Sequence, residues 1–316
     1  MKKFNFSQTY TNITKRLDQD YDGFVTNVVA KAQTPQFVTI VPDVKYAKEV
    51  PLTDVTGLVF SDATTEITSL PLTQGATTSV SSVSLVSKYL RTQETFNINQ
   101  MEQYYFSYVM DRGSDTETLP FEDKFIAQRE QHIAKQLDIL FWQGNTGLGI
   151  TGAYQIAASA SAVGITASSF STSTAVTNGI INTLNAMYAA APADLKSSDN
   201  IKIAIGKDAY DTYVQSVVNI NNFHLKFNEF TGTSFFLPGN PLVEVYWTAG
   251  LNATNKAVLY KKEFLFWGTD LLPDAEPIKV SYESLIDAIL MRYKVKLAVG
   301  LGFSANCVIA TSASTL

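Results

Sequence analysis

The spacing of apolar residues changes several times along the chain, and each spacing predicts a different element. Between residues 120 and 143, apolar side chains recur at intervals of three, four and seven, which places them on one stripe of a helix. They are Phe125, Ile126, Ile133, Leu137, Leu140 and Phe141. Pro120 suits the first turn of a helix and Gly144 suits its end. The pattern predicts one long helix of about 22 residues.

A period of two replaces this spacing between residues 43 and 93. Three runs there, LTDVTGLVFS, TTEITSLPLT and TSVSSVSLVS, alternate small polar residues with β-branched residues or leucine. This alternation places the apolar side chains on one face of each strand and predicts a long hairpin or paired strands. Most of these apolar residues are small. We therefore expect the ribbon to be stable only where another surface covers its apolar face.

The segments on either side complete the predicted architecture. Residues 1–42 carry scattered apolar residues without a sustained period, and they include a short predicted strand, FVTIV. In the second half, helical spacing at 175–190 and 208–218 flanks the strand IKIAI at 201–205. Further predicted strands are LVEVYW, AVLYKK, EFLFWG, IKVSYE and DAILMRYKVKLAVGLGF. This order predicts an α+β fold with a mostly antiparallel C-terminal sheet.

The composition is that of a folded protein with a surplus of acidic residues. Of the 316 residues, 46% are hydrophobic and 17% are charged, a balance that allows a core to form. The formal net charge of −5 argues against a dedicated binder of nucleic acid or anionic membranes, because such proteins concentrate Lys and Arg. No apolar run approaches the roughly 20 residues of a membrane span, and the start lacks the apolar region of a signal peptide. We expect a soluble protein of cytoplasmic origin that is not exported.

The residue types that carry most catalysis and metal binding are sparse. Cys307 is the single cysteine, so a disulfide within the chain and a zinc site made of cysteines are excluded. His132 lies among polar residues of the predicted long helix, and His224 lies in an aromatic loop without clustered ligands. The sequence therefore predicts no catalytic residue, no metal site and no cofactor, and it favours a protein that is not an enzyme.

Three further groups of residues have structural interpretations. Gly147, Gly149 and Gly152 spell G-x-G-x-x-G, but they follow a predicted helix, whereas a dinucleotide fingerprint follows a strand and opens a helix. The grouped carboxylates lie at a helix start or in a turn, and they are Glu117, Glu122, Asp123, Asp270 and Asp274. Two aromatic groups are open to core packing or subunit contact: Tyr104, Tyr105, Phe106, Tyr108, and Phe223, Phe227, Phe230, Phe235, Phe236.

The order of these segments resembles one known family, the major capsid proteins of tailed bacteriophages. FEDKFIAQREQHIAKQLDILFWQGN and GNTGLGITGAYQ resemble the family's spine helix and the glycine turn after it. NIKIAIGKDAYDTY resembles the axial-domain strand and helix, and AVLYKKEFLFWGTDL, IKVSYE and AILMRYKVKLAVGLGF resemble the terminal strands. The resemblance covers nearly the whole chain and lies in the ordered set of segments. The family's shell fold is shared with encapsulin compartments and the floor of herpesvirus capsids.

The resemblance implies a division of the chain into the parts of that fold. The implied parts are an N-terminal arm at 1–42, an extended β-hairpin loop at 43–93, a peripheral domain at 94–171 plus 284–303 with its spine helix at about 120–143, an axial domain at 172–283, and a C-terminal tail at 304–316.

The resemblance also implies a function, which is self-assembly into the icosahedral shell around a tailed-phage double-stranded DNA genome. The implied partners are many copies of the chain in hexamers and pentamers, a separate scaffolding protein, a portal, and packaged DNA held by weak non-specific contacts, with no membrane. The implied location is the virion capsid, with synthesis in the cytoplasm of the host bacterium. An encapsulin-type nanocompartment is the alternative with the same fold. A soluble α+β enzyme is the alternative of another class.

Two features of the family vary among its members. Some members carry an N-terminal scaffolding segment, whereas here the arm begins within the first 42 residues, so the resemblance implies a separate scaffolding protein or none. Other members link neighbouring subunits through an isopeptide bond from a loop lysine. Lys45, Lys48 and Lys88 are the lysines in or beside the loop, and no feature of the sequence marks one of them as activated.

Overall fold

The computed structural model describes most of the chain, and its helices and strands are numbered here in chain order over the described residues. These residues are 11, 21–56, 77–97, 99–100, 103, 121–160, 162–167, 170, 179–220, 234–270, 278–283 and 288–312.

Six helices lie in this part of the chain. They are α1 (Tyr21–Lys31), α2 (Phe121–Gln143), α3 (Ala153–Ser159), α4 (Ile180–Ala190), α5 (Ala193–Lys196) and α6 (Lys207–Ile220). Helix α2 confirms the predicted long helix almost to the residue, and α6 confirms the helix predicted at 208–218. Helix α4 begins at Ile180 rather than at 175, because Gly179 precedes it with an extended backbone (φ −94°, ψ 179°).

A five-stranded sheet is built around one long strand, β14 (Ala288–Leu301). The other strands are β1 (Thr39–Val41), β4 (Lys88–Asn97), β12 (Leu265–Gly268) and β13 (Ile278–Glu283). Strands β12, β13 and β4 each pair antiparallel with β14. Strands β13 and β4 both pair with residues 288–293 of β14, so they lie on its two opposite edges, and β12 pairs with residues 298–301. Strand β1 joins β12 in parallel.

A six-stranded sheet contains the remaining long pairings. In spatial order its strands are β7 (Val163–Ala167), β15 (Val308–Ser312), β11 (Lys256–Lys261), β8 (Ile201–Ile205), β10 (Asn240–Trp247) and β9 (Ser234–Leu237). The predicted single, mostly antiparallel C-terminal sheet is wrong, because its strands divide between two sheets. Two pairs here are also parallel, β15 with β7 and β10 with β8. Residues 308–312, which were expected to belong to a C-terminal tail, form an inner strand because β7 and β11 pair with both of its edges.

The six-stranded sheet separates two hydrophobic cores. Side chains of alternate positions, such as Ile203 and Val245, face α4 and α6 in one core. Their neighbours, such as Ala204 and Tyr246, face the other core with α2 and the five-stranded sheet. Burial on both faces explains the nearly continuous apolar runs of these strands.

Helix α2 is fixed to three neighbouring elements. Its Ile133 and Leu137 are 8% and 3% exposed, and Phe141 stacks on Trp267 of β12 at 4.8 Å between ring centroids. The helix packs on the five-stranded sheet, as expected, and also on α1 and on the turn Ala249–Leu251. Lys135 is exposed, as predicted.

A buried polar cluster joins α2 to the segment after α1. The backbone N–H groups of Gln33 and Thr34 donate to the two carboxylate oxygens of Asp138, at 3.0 and 3.3 Å. Trp142 Nε1 donates to Thr34 Oγ1 at 2.9 Å, and that hydroxyl bonds Thr248 Oγ1 at 3.1 Å. Burial raises the pKa of the Asp138 carboxyl from 3.8 to about 6, against the opposing effect of these hydrogen bonds. These hydrogen bonds give each of these buried polar groups a partner. They also fix the segment after α1, at Gln33 and Thr34, against α2.

Replacing Leu137 with alanine should lower the free energy of unfolding by about 2–5 kcal/mol, because it removes apolar contacts and leaves a cavity. Urea denaturation of the purified chain, followed by circular dichroism, measures the change. The matched variant Lys135→Ala, two residues away on the exposed face, should change it by less than about 0.5 kcal/mol. A similarly small effect of Leu137→Ala would show that the helix is oriented differently.

Asp138 should make the stability of the subunit depend on pH. Because the folded carboxyl keeps its proton to a higher pH than the unfolded one, the folded state binds more protons between about pH 4 and pH 6. The stabilising contribution of Asp138 is then fully present below pH 4 and is lost as the pH rises through 6, a change of about 3 kcal/mol. The measurement is the difference in unfolding free energy between the unmodified chain and Asp138→Asn from pH 4 to 7.5.

The Asp138→Asn variant replaces the carboxyl with an amide of nearly the same size that does not titrate in this range, so the comparison isolates the carboxyl. A constant difference between the unmodified chain and Asp138→Asn would contradict the predicted titration of Asp138.

Candidate assembly surface

The ribbon predicted at 43–93 is present as two antiparallel strands, β2 (Ala47–Thr56) and β3 (Thr77–Val86). Their register pairs Ala47 with Val86 and Thr56 with Thr77. The partner changes at Ser87, because the following strand β4 pairs with β14 instead of continuing the ribbon. Ser87 N donates to the carbonyl of Tyr46 at 2.8 Å, which closes the ribbon at its base.

One face of the ribbon is apolar, as the alternating pattern predicts. Leu52 and Leu85 are 9% and 0% exposed, with Val50 and Val83 partly buried beside them. They pack in a small cluster with residues of β1, β12 and β14 and of adjoining loops. The apolar face of the described part of the ribbon is thus covered by other segments of the same chain.

Two glycines make room for the apolar face of the ribbon. Gly300 lies near the end of β14, and Gly302 follows one residue after the strand ends. A Cβ atom on Gly300 would lie 2.2 Å from Leu85 Cδ2, and one on Gly302 would lie 2.7 Å from Leu52 Cδ1. Any side chain at Gly300 would therefore displace Leu85. The glycines of VGLGF at 299–303 are visible in the sequence and indicate a close approach of another segment. The sequence does not show that this segment is the ribbon.

A buried ion pair lies beside the ribbon base. Lys296 Nζ is 2.6 Å from Asp270 Oδ2, and the two side chains are 4% and 1% exposed. The ammonium group also lies 4.7 Å from the ring centroid of Tyr89 and 5.9 Å from that of Tyr46. Asp270 is therefore the buried partner of a lysine rather than a turn residue. Breaking such a pair would leave an unpaired buried charge, so it holds β14 to the loop after β12.

The outer face of the ribbon and its surroundings expose large apolar side chains. Val80 and Val86 are 70% and 51% exposed, and Tyr46 and Tyr89 are 80% and 53% exposed. Single exposed apolar residues are common, but a group of them around one element is typical of an interaction surface. We call the outer face of β2 and β3, with Tyr46 and Tyr89, the ribbon surface.

The residues considered for enzyme chemistry are not brought together. Cys307 is buried, and burial raises the pKa of its thiol to about 12, so it is inert. His132 is exposed on α2 at the edge of a 460 Å³ pocket whose lining includes Lys31, Trp247 and Asn252. Within the described ranges, no group of three or more His, Cys, Asp or Glu residues could hold a metal ion. His224 lies outside the described residues.

The G-x-G-x-x-G pattern forms a tight turn between two short strands, β5 (Gly144–Asn145) and β6 (Ile150–Thr151). Asn145 Oδ1 accepts a hydrogen bond from Leu148 N at 3.3 Å, and Gly149 has φ +65°, a conformation that favours glycine. A Cβ atom on Gly152 would lie 2.3 Å from Gly144 N. These glycines therefore serve close backbone packing at the end of α2.

The structure distinguishes core packing from surface exposure for two of the aromatic residues named above. Phe235 is buried in the core beneath the six-stranded sheet, whereas Phe236 is 51% exposed on the edge strand β9. The other named aromatics, together with Glu117 and Asp274, lie outside the described residues, and the side chains of Glu122 and Asp123 are not described. Lys48 Nζ donates to the carbonyl of Pro42 at 2.9 Å.

None of the helices in the described part of the chain combines the length and the apolarity that crossing a membrane requires.

Gly300→Ala should destabilise the subunit by about 1–3 kcal/mol, because the added methyl group overpacks the contact with Leu85. Leu85→Ala alone should cost about 2–5 kcal/mol. The double variant should be at least about 1 kcal/mol more stable than the sum of the two losses, since the smaller residue 85 leaves room for the methyl group. Chemical denaturation of all three variants measures this coupling.

Gly164→Ala is the matched control, because no atom lies within 4 Å of a Cβ atom at that strand position. It should have no unfavourable effect from crowding. Additive losses in the Gly300 and Leu85 variants would show that the two residues do not share this contact.

The chain is similar to known proteins in structure, but not detectably in sequence. No family model and no curated protein matches the chain. A chain of the satellite phage P4 procapsid superposes with a TM-score of 0.57 at 8% identity, over 99% of this chain and 92% of that chain. A chain of Mycobacterium phage Bobi gives 0.53 at 15% identity, over 90% and 91%.

A third structure, the capsid of a native GTA particle, gives a TM-score of 0.51 at 11% identity, over 90% of this chain and 97% of that chain. Each likeness extends over nearly the full length of both chains. The chain therefore has the α+β fold found in phage capsid shells.

Proposed function

We propose that this chain is a structural protein that self-assembles into the icosahedral shell around the double-stranded DNA genome of a tailed phage. The observation that carries the proposal is the fold, which is shared over about nine-tenths of the chain with proteins of assembled phage capsids.

The ribbon surface supplies a means of association. Its inner face is already covered within the subunit, so its outer face and the two tyrosines remain available to a neighbour. A contact between two different surfaces of identical chains is heterologous, and repeated contacts of this kind close into rings when the rotation allows it. Hexamers and pentamers of the chain follow from such contacts in a closed shell.

The proposed parts of the shell subunit are those inferred from the sequence: an arm, an extended loop, a peripheral domain, an axial domain and a C-terminal segment. We assign the six-stranded sheet with α4 and α6 to the axial part, and α2 with the five-stranded sheet to the peripheral part. Compared with the boundaries inferred from the sequence, this assignment moves β7 and β15 into the axial part and β12 and β13 into the peripheral part. Strand β15 ties the C-terminal segment into the axial part.

The proposed partners are a separate scaffolding protein, a portal, and DNA inside the shell. The chain's net charge of −5 suits weak and non-specific contact with DNA, because tight phosphate binding depends on concentrated positive charge. The proposed location is the virion capsid, after synthesis in the host cytoplasm.

The test is expression of the chain alone and with the neighbouring genes of its genome, followed by sizing and negative-stain microscopy. Closed shells support the proposal, and nucleic acid with a portal in the purified particle distinguishes a phage capsid from an encapsulin compartment with protein cargo. A compact monomer or small oligomer under all these conditions would favour the soluble enzyme and contradict the proposal.

Replacing residues 53–82 with a short glycine linker should leave the subunit folded and abolish shells. The described core residues lie outside this segment, including Leu52 and Leu85 of the ribbon, whereas the replacement removes the end of β2, most of β3 and the exposed Val80. Circular dichroism and microscopy check the two outcomes. Intact shells from this variant would show that the ribbon is dispensable for assembly.

A further inference from the structure

On the five-stranded sheet, the face that points away from the core with α2 is rich in cations, unlike the rest of this acidic chain. Alternate residues of β14, from Ile289 to Leu297, point into the core with α2. The residues between them therefore lie on the opposite face of the sheet. On that face Lys296 is already paired with Asp270, but the preceding two positions, Arg292 and Lys294, are also cationic.

Neighbouring strands add further cations directly beside these two. In the strand register, Lys294 is opposite Arg91 of β4, and Arg292 is opposite Lys279 of β13. Directly opposite residues in antiparallel strands have Cβ atoms about 4.5–5.5 Å apart, and like charges at such positions are destabilising. We call these four residues, Arg91, Lys279, Arg292 and Lys294, the basic face.

The basic face has no matching carboxylates within the described part of the subunit. No ion pair between described residues includes any of the four side chains. Glu283 lies on the same face, but four residues along β13 from Lys279, or about 13 Å away. The Nε atom of Arg292 is buried and has no hydrogen-bond partner among the described residues. A folded subunit therefore contains a repulsive cluster whose charge it does not neutralise there.

The charge of the chain indicates what neutralises it. With a formal net charge of −5, the chain outside these four cations has a net charge of −9. The surface of a second copy is therefore acidic on average, whereas DNA approaching this chain meets an overall repulsion. Carboxylates are suitable partners for arginine and lysine donors at an interface between subunits.

We propose that the basic face receives carboxylates from a second copy of this chain, as one of the contacts of the shell. The inference rests on the proposed function, since it assigns one surface of the assembling subunit. The like-charged cross-strand pairs then destabilise the free subunit, and carboxylates from a neighbour relieve the repulsion on assembly. The charge of this contact favours association with another copy of the chain. The ribbon surface adds apolar contacts to the same assembly.

The first test reverses the charge of one cross-strand pair. Arg91→Glu with Lys294→Glu should raise the subunit concentration required for shell assembly by about tenfold or more at low salt, because like charges would then face each other across the contact. The conservative pair Arg91→Lys with Lys294→Arg should assemble as the unmodified chain does. Lys135→Glu, which reverses an exposed charge on α2, is the matched control and should also assemble normally.

The stability of the free subunit provides a second readout for the same residues. Lys294→Gln should leave its thermal stability unchanged or raise it, since it removes a repulsion with Arg91. A marked loss of stability would show that Lys294 is already paired within the subunit and would overturn the proposal.

The second test identifies the carboxylates directly. A water-soluble carbodiimide activates a carboxylate and is converted to its urea as the lysine Nζ forms an amide, so it links only ion-paired groups. In shells made from mixed ¹⁴N- and ¹⁵N-labelled subunits, mass spectrometry should find mixed-isotope links from Lys279 or Lys294 to Asp or Glu. Links of these lysines within single chains only would overturn the proposal.

The outcomes separate this inference from the proposed function. Shells formed equally well by the unmodified and the charge-reversed chains would overturn the inference alone. Failure of the unmodified chain to form any shell would overturn the proposed function and the inference with it. If charge reversal left assembly unchanged but abolished retention of the free subunit on immobilised double-stranded DNA, the face would be a nucleic-acid contact and the inference would be overturned.

Discussion

The alternation of side chains along β14 is the constraint on which the rest of the molecule depends. One side of this strand carries large apolar residues such as Met291, Val295 and Leu297, which form the core with α2. The other side carries the buried Ala288 and Leu290, then Arg292 and Lys294 of the basic face, the buried Lys296, and finally Ala298 and Gly300 beneath the ribbon. A shift of register by one residue would exchange these two sets and lose both the core and the ribbon contact. Pairing along both edges makes such a shift costly.

This arrangement gives the subunit a firm interior and surfaces that remain open to other molecules. The six-stranded sheet is covered on both faces, and α2 is fixed by apolar packing and by the buried cluster around Asp138. The ribbon is fixed at its base through Leu52 and Leu85, while Val80 and Val86 face outward. The ribbon surface and the basic face adjoin, because Tyr89 and Arg91 lie two residues apart on one face of β4. Apolar contact and charge can then contribute to affinity and to selection of the neighbour side by side.

The likeness to phage capsid structures at 8–15% identity has a physical explanation in this chain. The features that define the fold are burial periodicities and strand pairings, and many apolar residues of suitable size satisfy them. Specific positions matter where volume is limiting, as at Gly300, or where a buried charge needs its partner, as at Lys296 and Asp270. Such constraints leave most residue identities free while they preserve the path of the backbone.

The sequence alone determined the elements whose periodicity is local. The stripe from Ile133 to Phe141 predicted α2, the alternation around Leu52 and Leu85 predicted a ribbon with one apolar face, and the run at 201–205 predicted β8. Only the tertiary structure decided how strands distant in sequence pair. For that reason β15 was assigned to a tail, Asp270 was assigned to a turn, and two sheets were predicted as one. The cations at 292, 294 and 296 alternate visibly in the sequence, but periodicity cannot show that Lys296 is paired with Asp270 while Lys294 faces Arg91. Partners are set by the approach of distant segments, and that approach depends on the summed packing of the whole chain rather than on any local pattern.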